Sequence, residues 1–174
     1  MTRERPQPSG RESPFETEEI IVSKTDLKGR LTYANDVFLR VARMTEVEVI
    51  GAPHSIIRHP DMPRAVFKLL WDRIQSGQEL FAYVINMANN GDHYWVFAHV
   101  TPTRGADGQV TGFHSNRRKP DSSQVTRVSA LYRDLLAEER RHADRKAGLA
   151  KSTEMLEAVL NKEEKSYDQF VFSI

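Results

Sequence analysis

The chain has 174 residues, of which 28% are charged and 39% are hydrophobic, and its formal net charge is +1. This length suits one domain with extensions, and the balanced charge gives no indication of a nucleic-acid partner or an anionic membrane surface. The chain has no cysteine, which excludes disulfides, thiolate metal sites, a cysteine nucleophile and cysteinyl–flavin photochemistry. No apolar run approaches the roughly 20 residues of a membrane-spanning helix, so we expect a soluble, cytoplasmic protein without direct membrane insertion.

The beginning of the chain is predicted to hold a tail and a β-hairpin. Residues 1–14 are polar, carry prolines and lack an apolar signal segment, which predicts a disordered N-terminal tail. β-Branched residues favour a strand over residues 20–26, and residues 30–34 alternate as its partner strand would. Gly29 in the turn between them can adopt a positive φ. We expect the ordered domain to cover residues 15–120.

A block of short helices is predicted next. Asn35 or Asp36 can cap the first helix, and Thr45 with Glu48 forms a capping box for the second. Asp61 is a good N-cap for a third helix, whose apolar residues recur at helical spacing.

Three further strands are predicted over residues 80–87, 93–102 and 109–117. Turns with strong hairpin signals separate them, an Asn-Gly pair at residues 90–91 and an Asp-Gly pair at residues 107–108. The resulting order, two strands, three short helices and three strands, predicts an α+β fold. We expect one five-stranded antiparallel sheet with the short helices on one face and a cleft between them.

Residues 121–174 are predicted to form a C-terminal helical extension that ends in a short aromatic tail. Asp121 and Gln124 give a capping signal for a first amphipathic helix. A second helix is expected over residues 153–160, with Gly148 as the break between the two.

Several motifs in this order resemble the PAS domains of bacterial aerotaxis receptors. They include residues 58–63, which read RHPDMP, residues 90–95, which read NGDHYW, and residues 117–120, which read RRKP. The resemblance covers residues 18–120. It implies a PAS fold that holds FAD non-covalently and reports the cellular redox state. Residues 81–84 and the short helical tail are similar to a stand-alone variant that works with a separate membrane-bound transducer.

Carried over by position, the resemblance implies seven residues for the cofactor site. These are Arg58, His59, Asp61, Trp71, Asn35, Asn86 and His99. His99 stands where the family often has an asparagine at the flavin edge, and Leu80 stands where it commonly has a tryptophan.

The residue types allow two interpretations for most of these positions. Arg58 suits the pyrophosphate because guanidinium binds phosphate oxygens in a bidentate way, although a helix cap with an Arg–Asp pair is the alternative. Trp71 lies on an apolar helical stripe, where core packing is the alternative. Asn86 is a poor strand former, which favours a hydrogen bond to a ligand. His99 stays open between pocket lining and ordinary sheet surface.

Two other functions remain as alternatives. A haem b gas sensor would need one axial histidine, and His54 or His59 borders the predicted cleft. A PAS module without cofactor would serve dimerisation or act as an adaptor. No nucleophile–base pair or paired carboxylates are visible, so we expect neither enzyme activity nor a metal site. The expected partners are a membrane-bound chemotaxis transducer or another signalling protein, and a second copy in a homodimer.

Overall fold

A five-stranded antiparallel sheet organises the domain in the computed structural model, which describes residues 5–174. The strands are β1 (Ile21–Asp26), β2 (Leu31–Ala34), β3 (Leu80–Met87), β4 (His93–Arg104) and β5 (Val110–Arg118). Their order in the sheet is β2-β1-β5-β4-β3, and all neighbours are antiparallel. The predicted α+β fold class is confirmed.

The two faces of the sheet follow from the alternation along β4. Tyr94, Val96 and Ala98 are buried on one face, which we call the inner face, whereas Trp95 and Phe97 are half-buried on the opposite, outer face. Successive side chains of a strand point to opposite faces, so the register assigns every strand residue to one face.

The inner face is covered by a helical block. It consists of α1 (Asp36–Ala42), α2 (Glu46–Val49), a 3₁₀ helix (His54–Ile57) and α3 (Arg64–Gln75). The side chain of Asn35 accepts a hydrogen bond from the backbone N–H of Phe38 and so caps α1, as predicted. The capping box of Thr45 and Glu48 is also present at the start of α2.

The predicted cap of α3 is wrong. The helix begins at Arg64 after Pro63, three positions beyond Asp61. The side chain of Asp61 is exposed and pairs with Arg140 at 3.0 Å instead. An oxygen of Glu139 accepts a hydrogen bond from the Ala65 N–H at 3.1 Å, so a carboxylate distant in sequence satisfies part of this helix start.

The C-terminal extension contains α4 (Ser122–Arg141), α5 (Arg145–Lys162) and α6 (Tyr167–Ser173). The helices α4 and α5 pack on each other, α5 also contacts α3, and α6 contacts β3. The predicted capping box of Asp121 and Gln124 is present. None of the helices within residues 5–174 combines the length and apolarity that crossing a membrane requires.

Gly148 lies inside α5, so its predicted role as a helix break is wrong. The chain breaks four to six positions earlier, at residues 142–144, where the Asp144 side chain accepts hydrogen bonds from the N–H groups of Lys146 and Ala147 and caps α5. A Cβ at Gly148 would lie 2.6 Å from the carbonyl oxygen of Glu139. Glycine is therefore required for the close approach of the two helices rather than for a turn.

The N-terminal segment differs from its prediction of disorder over residues 5–13. The Ser9 N–H donates to the Gly91 carbonyl at 2.9 Å, and the Ser13 N–H donates to the His93 carbonyl at 2.7 Å. The Arg5 guanidinium donates to the carbonyls of Ser55 and Arg58 in and after the 3₁₀ helix. Residues 1–4 lie outside the described part of the chain, and the division into tail, domain and extension stays a prediction.

Candidate functional site

A cluster of polar side chains is buried on the inner face, with Arg117 at its centre. Arg117 is 2% exposed, and its guanidinium donates to the Nε2 atom of His54 at 2.8 Å and to the Ser23 hydroxyl. Its Cζ atom lies 5.5 Å from the centre of the Phe38 ring, within the range of a cation–π contact.

Within residues 5–174 no carboxylate forms a salt bridge with Arg117, so the cluster carries a positive charge. Burial lowers the pKa of Arg117 to about 10, so the guanidinium is still charged at neutral pH. Burial and the Arg117 charge lower the pKa of His54 to about 3, which makes His54 neutral. Because its Nε2 accepts from Arg117, its proton is assigned to Nδ1. A buried charge that is not paired with an opposite charge is costly.

Three buried polar atoms on the same face have no hydrogen-bond partner within residues 5–174. They are the amide nitrogen of Asn86, the hydroxyl of Tyr94 and the second terminal nitrogen of Arg117. Asn86 and Tyr94 are direct cross-strand partners on β3 and β4, and Arg117 is opposite Ala98 on β4 and β5. Each unsatisfied group costs about 1–3 kcal/mol, and such groups call for a specific explanation. All three can donate a hydrogen bond, and they lie on the face of the sheet that the helical block covers.

The loop of residues 58–63 lies beside Asn86, one of these three residues. Arg58 forms a backbone bridge with Asn86, and its guanidinium lies 4.0 Å from the centre of the Phe67 ring. Burial lowers the pKa of Arg58, the charge of Glu139 opposes that shift, and the charges of Arg5 and Arg64 add to it. The loop therefore presents a half-buried cation in surroundings rich in arginine.

The structure places His59 and Asn86 near Arg58, while the Asp61 carboxylate lies 3.9 Å from Nδ1 of His59 and 3.0 Å from the Arg140 guanidinium. Nδ1 of the buried His59 accepts the Asp61 N–H at 3.0 Å, and burial lowers the His59 pKa. Asn86 is 3% exposed and lies on the inner face. The Asp61 side chain is 56% exposed and bound to Arg140.

The remaining predicted residues lie elsewhere. Asn35 is engaged by the backbone, since its amide accepts from Val22 and donates to Ile20 in addition to capping α1. Trp71 makes an edge-to-face contact with Phe113 at 5.9 Å, in a separate small cluster. His99 lies on the outer face, where it stacks on the Phe81 ring at 4.0 Å and bonds Glu79 at 2.6 Å. Of the two readings of His99, the structure places it on the sheet surface.

Sequence reasoning missed Ser23, Tyr94 and Arg117, and considered His54 only as a haem ligand. Among the predictions from sequence, Arg117 stands only within the RRKP motif of residues 117–120. Counting by two from the buried Phe113 reaches Arg117 on the same face, so strand alternation contained the signal.

The donor set fits the polar edge of a flavin ring. A flavin needs a planar apolar slot and a few polar groups at the edge of the isoalloxazine. The unpartnered N–H and O–H groups of Asn86, Tyr94 and Arg117 suit its carbonyl oxygens and ring nitrogens. Haem fits less well at His54, because the Nε2 lone pair that would bind iron already accepts from Arg117.

An open pocket of about 420 Å³ lies beside this region. It is lined by Arg5, Pro6, Met44, Glu48, Ser55, Ile56, Met87, Ala88 and Asn89. The pocket joins the N-terminal segment, the 3₁₀ helix and the end of β3, one residue beyond Asn86.

Comparisons with known sequences agree on one family. Residues 31–117 match the family described as PAS fold. The chain is 37% identical over 125 residues to the aerotaxis receptor of Escherichia coli (strain K12), which covers 72% of this chain and 24% of the receptor. It is 23% identical over 99 residues to the nitrogen fixation regulatory protein of Klebsiella pneumoniae, covering 57% of this chain and 20% of that protein. The chain thus spans about a quarter or less of these relatives.

Solved structures with a similar fold include light-sensing domains. The light state of the LOV domain of the blue-light photoreceptor Aureochrome1 aligns with a TM-score of 0.55 at 19% identity, over 66% of this chain and 88% of that one. The Cys71Val variant of the fungal photoreceptor VVD aligns with a TM-score of 0.53 at 21% identity, over 66% and 86%. These likenesses concern the fold alone.

Proposed function

This chain belongs to the PAS family, in its aerotaxis-receptor type, and from that premise we propose that it is a FAD-binding sensor of the cellular redox state. It would signal by contact with another protein rather than by catalysis.

The observation that carries this proposal is the set of unpartnered donors around a buried cation. Arg117, Tyr94 and Asn86 carry these donors on the inner face of the sheet. Without a bound ligand, each of these unpartnered groups destabilises the protein by about 1–3 kcal/mol. A ligand rich in acceptors, with an apolar plane, would satisfy all three at once.

Each residue of the site has a specific task in this proposal. Ser23 and His54 hold the Arg117 guanidinium in place. A bound flavin would supply the redox chemistry by taking up electrons and protons. The fixed charge of Arg117 favours the form of the ring that carries more negative charge, which is a preorganised electrostatic effect. The guanidinium of Arg58 would bind phosphate.

FAD is proposed rather than a shorter flavin because of the open pocket next to the ring site. Its volume of about 420 Å³ gives room for a nucleotide part that extends beyond the ring. Arg5 on its rim adds a cation that could compensate phosphate charge.

We propose further that the protein is cytoplasmic, acts as a separate sensor beside a membrane-bound chemotaxis transducer or another signalling protein, and forms a homodimer. These points rest on the resemblance to aerotaxis receptors. The relatives of this chain bear the names of a receptor and a regulatory protein, which supports a signalling role.

A module without cofactor is the second candidate, and the closed packing of the slot favours it. Phe38, Ile57 and Val96 are almost fully buried between the block and the sheet. A planar ring could enter only if the helical block moved away from the inner face.

An absorption spectrum of freshly purified protein, before and after dithionite, tests the proposal. Flavin bands near roughly 450 nm that bleach on reduction are expected, and release of the cofactor by heat followed by chromatography should identify it as FAD. A Soret band would instead identify haem. A spectrum without visible bands that added FAD does not change would leave the module without cofactor.

A further inference from the structure

Glu139 is a buried carboxylate at the end of α4 that contacts two other segments, the start of α3 and α5. It is 6% exposed. One oxygen accepts from the Ser152 hydroxyl at 2.9 Å and from the Ala65 N–H at 3.1 Å, and the other accepts from the Arg64 Nε–H at 3.0 Å. Hydrogen bonds to an ionised group are among the stronger ones in proteins. Glu139 therefore joins α4, α5 and the start of α3 in one network.

This network supplies a hydrogen-bond acceptor for the first turn of α3 from outside the helix. Pro63 precedes the helix and has no side-chain acceptor to offer, so the free N–H groups of the first turn need another partner. The carboxylate of Glu139 supplies it for Ala65, and a negative charge is favourable at a helix N-terminus. The position of α3, which follows the 58–63 loop directly, thus depends on a residue of the extension.

Two neighbouring contacts tie the same loop to the same helices. Arg140 binds Asp61 at 3.0 Å, and the Arg64 guanidinium donates to the Arg145 carbonyl at 2.9 Å. Gly148 allows the helices to approach closely at this point, because a Cβ there would meet the Glu139 carbonyl. Both ends of the segment from Asp61 to Arg64 are therefore attached to the α4–α5 hairpin.

We propose that Glu139 is a positioning residue that couples the 58–63 loop to the α4–α5 hairpin, which makes this hairpin the element that responds to the redox state. The coupling rests on the proposed function, since the loop responds only if a flavin lies against it. The 58–63 loop would shift in response to a flavin bound against it, the loop carries the start of α3, and Glu139 would transmit the shift to α4 and α5. Such a change is a bias between two arrangements of one packed element.

Amide hydrogen exchange of the full chain tests this coupling in Glu139→Gln, with Glu157→Gln as the matched control on an exposed part of α5. In Glu139→Gln the exchange of the Ala65 N–H should be at least about threefold faster, because its charged acceptor is gone. In the unchanged protein, exchange across residues 139–152 should differ between the oxidised and the dithionite-reduced state. That difference should fall to less than about half in Glu139→Gln while flavin absorption is retained.

Two results would overturn the coupling. One is unchanged exchange at Ala65, and the other is a redox difference across residues 139–152 that survives in Glu139→Gln. A protein without flavin would refute the proposed function and the redox part together, whereas exchange at Ala65 still decides whether Glu139 holds α3. If Glu139→Gln does not fold, Ser152→Ala removes one donor to the same carboxylate and should show the same changes in weaker form.

Discussion

The two faces of the sheet contain similar residue types and use them differently. On the outer face, Phe97 lies among the rings of Tyr83 at 4.7 Å, Phe81 at 5.8 Å and Phe172 at 5.9 Å, and the Tyr132 hydroxyl donates to the Tyr83 carbonyl at 2.5 Å. On the inner face, a tyrosine, an asparagine and an arginine are buried with donors that lack partners within the described residues.

The two faces contribute differently to the stability of the protein. Aromatic packing on the outer face removes apolar surface from water and stabilises the fold through the area that it buries. Unpartnered donors on the inner face reduce the stability of the protein without a ligand, and such a cost is typical of ligand-binding sites. Stability and ligand binding should therefore respond to different substitutions on the two faces.

Arg117→Met should have the largest effect on flavin binding. The change removes the buried cation and should weaken flavin binding about a hundredfold, since hydrogen bonds to charged groups contribute about 1.5–3 kcal/mol. The stability of the flavin-free protein should stay equal or rise, because an apolar side chain avoids the cost of a buried charge. Flavin titration and thermal unfolding measure the two quantities. Arg118→Met is the control, since Arg118 is exposed on the outer face, and equal flavin affinity in both variants would contradict the assignment.

Phe97→Ala should show the opposite pattern. Loss of a ring that contacts three other rings should lower the free energy of unfolding by about 2–3 kcal/mol, somewhat less than for a fully buried ring. Flavin affinity should change by less than about threefold, because the side chain lies on the far side of the sheet. Urea unfolding with a flavin titration checks both, and a loss of flavin without loss of stability would refute the division of roles.

Acidification should weaken the inner face through His54. Its pKa is near 6.5 in the unfolded chain and about 3 when folded, so the unfolded state binds more protons below pH 6.5. Stability therefore falls as the pH drops, by about 2 kcal/mol between pH 6.5 and 5 for this group. Buried His59, whose pKa is also lowered, acts in the same direction. Unfolding measured against pH should give a flatter curve for His54→Asn than for the control His114→Asn on the outer face.

Tyr94→Phe should have the smallest effect of the four. It removes the hydroxyl that has no partner within the described residues, with little change in volume, so stability without flavin should be equal or up to about 1 kcal/mol higher. Flavin affinity should fall about fivefold. Tyr132→Phe is the contrasting variant, because its hydroxyl has a partner, the Tyr83 carbonyl, and it should lose stability. Equal effects of the two changes on stability would mean that the Tyr94 hydroxyl is satisfied.

Local sequence patterns were sufficient for most elements of the fold. The capping signals at Asn35, Thr45 and Asp121 hold in the structure, because each needs only its own helix turn. The five strands also follow the predicted order along the chain and form the predicted five-stranded antiparallel sheet. Such features depend on interactions over a few residues, which a single sequence contains.

Predictions that depended on distant partners were the ones that failed. Asp61 is a good cap by composition, yet Pro63 and Glu139 set the start of α3. Gly148 suggested a break, yet it permits the contact with Glu139 across two helices. Glu139 lies 78 positions after Asp61 and nine positions before Gly148. The local pattern around either residue therefore does not include it.

By itself the sequence determined the fold class and the PAS resemblance, and it predicted Arg58, His59 and Asn86 as site residues, since these depend on short motifs and on strand periodicity. Only the tertiary structure decided that His99 lies on the outer face and that Ser23, His54, Tyr94 and Arg117 share one buried site. The physical reason is register. The first and the last strand, β1 and β5, are neighbours in the sheet. The pairing between strands, and not their order in the sequence, therefore brings these side chains to one place.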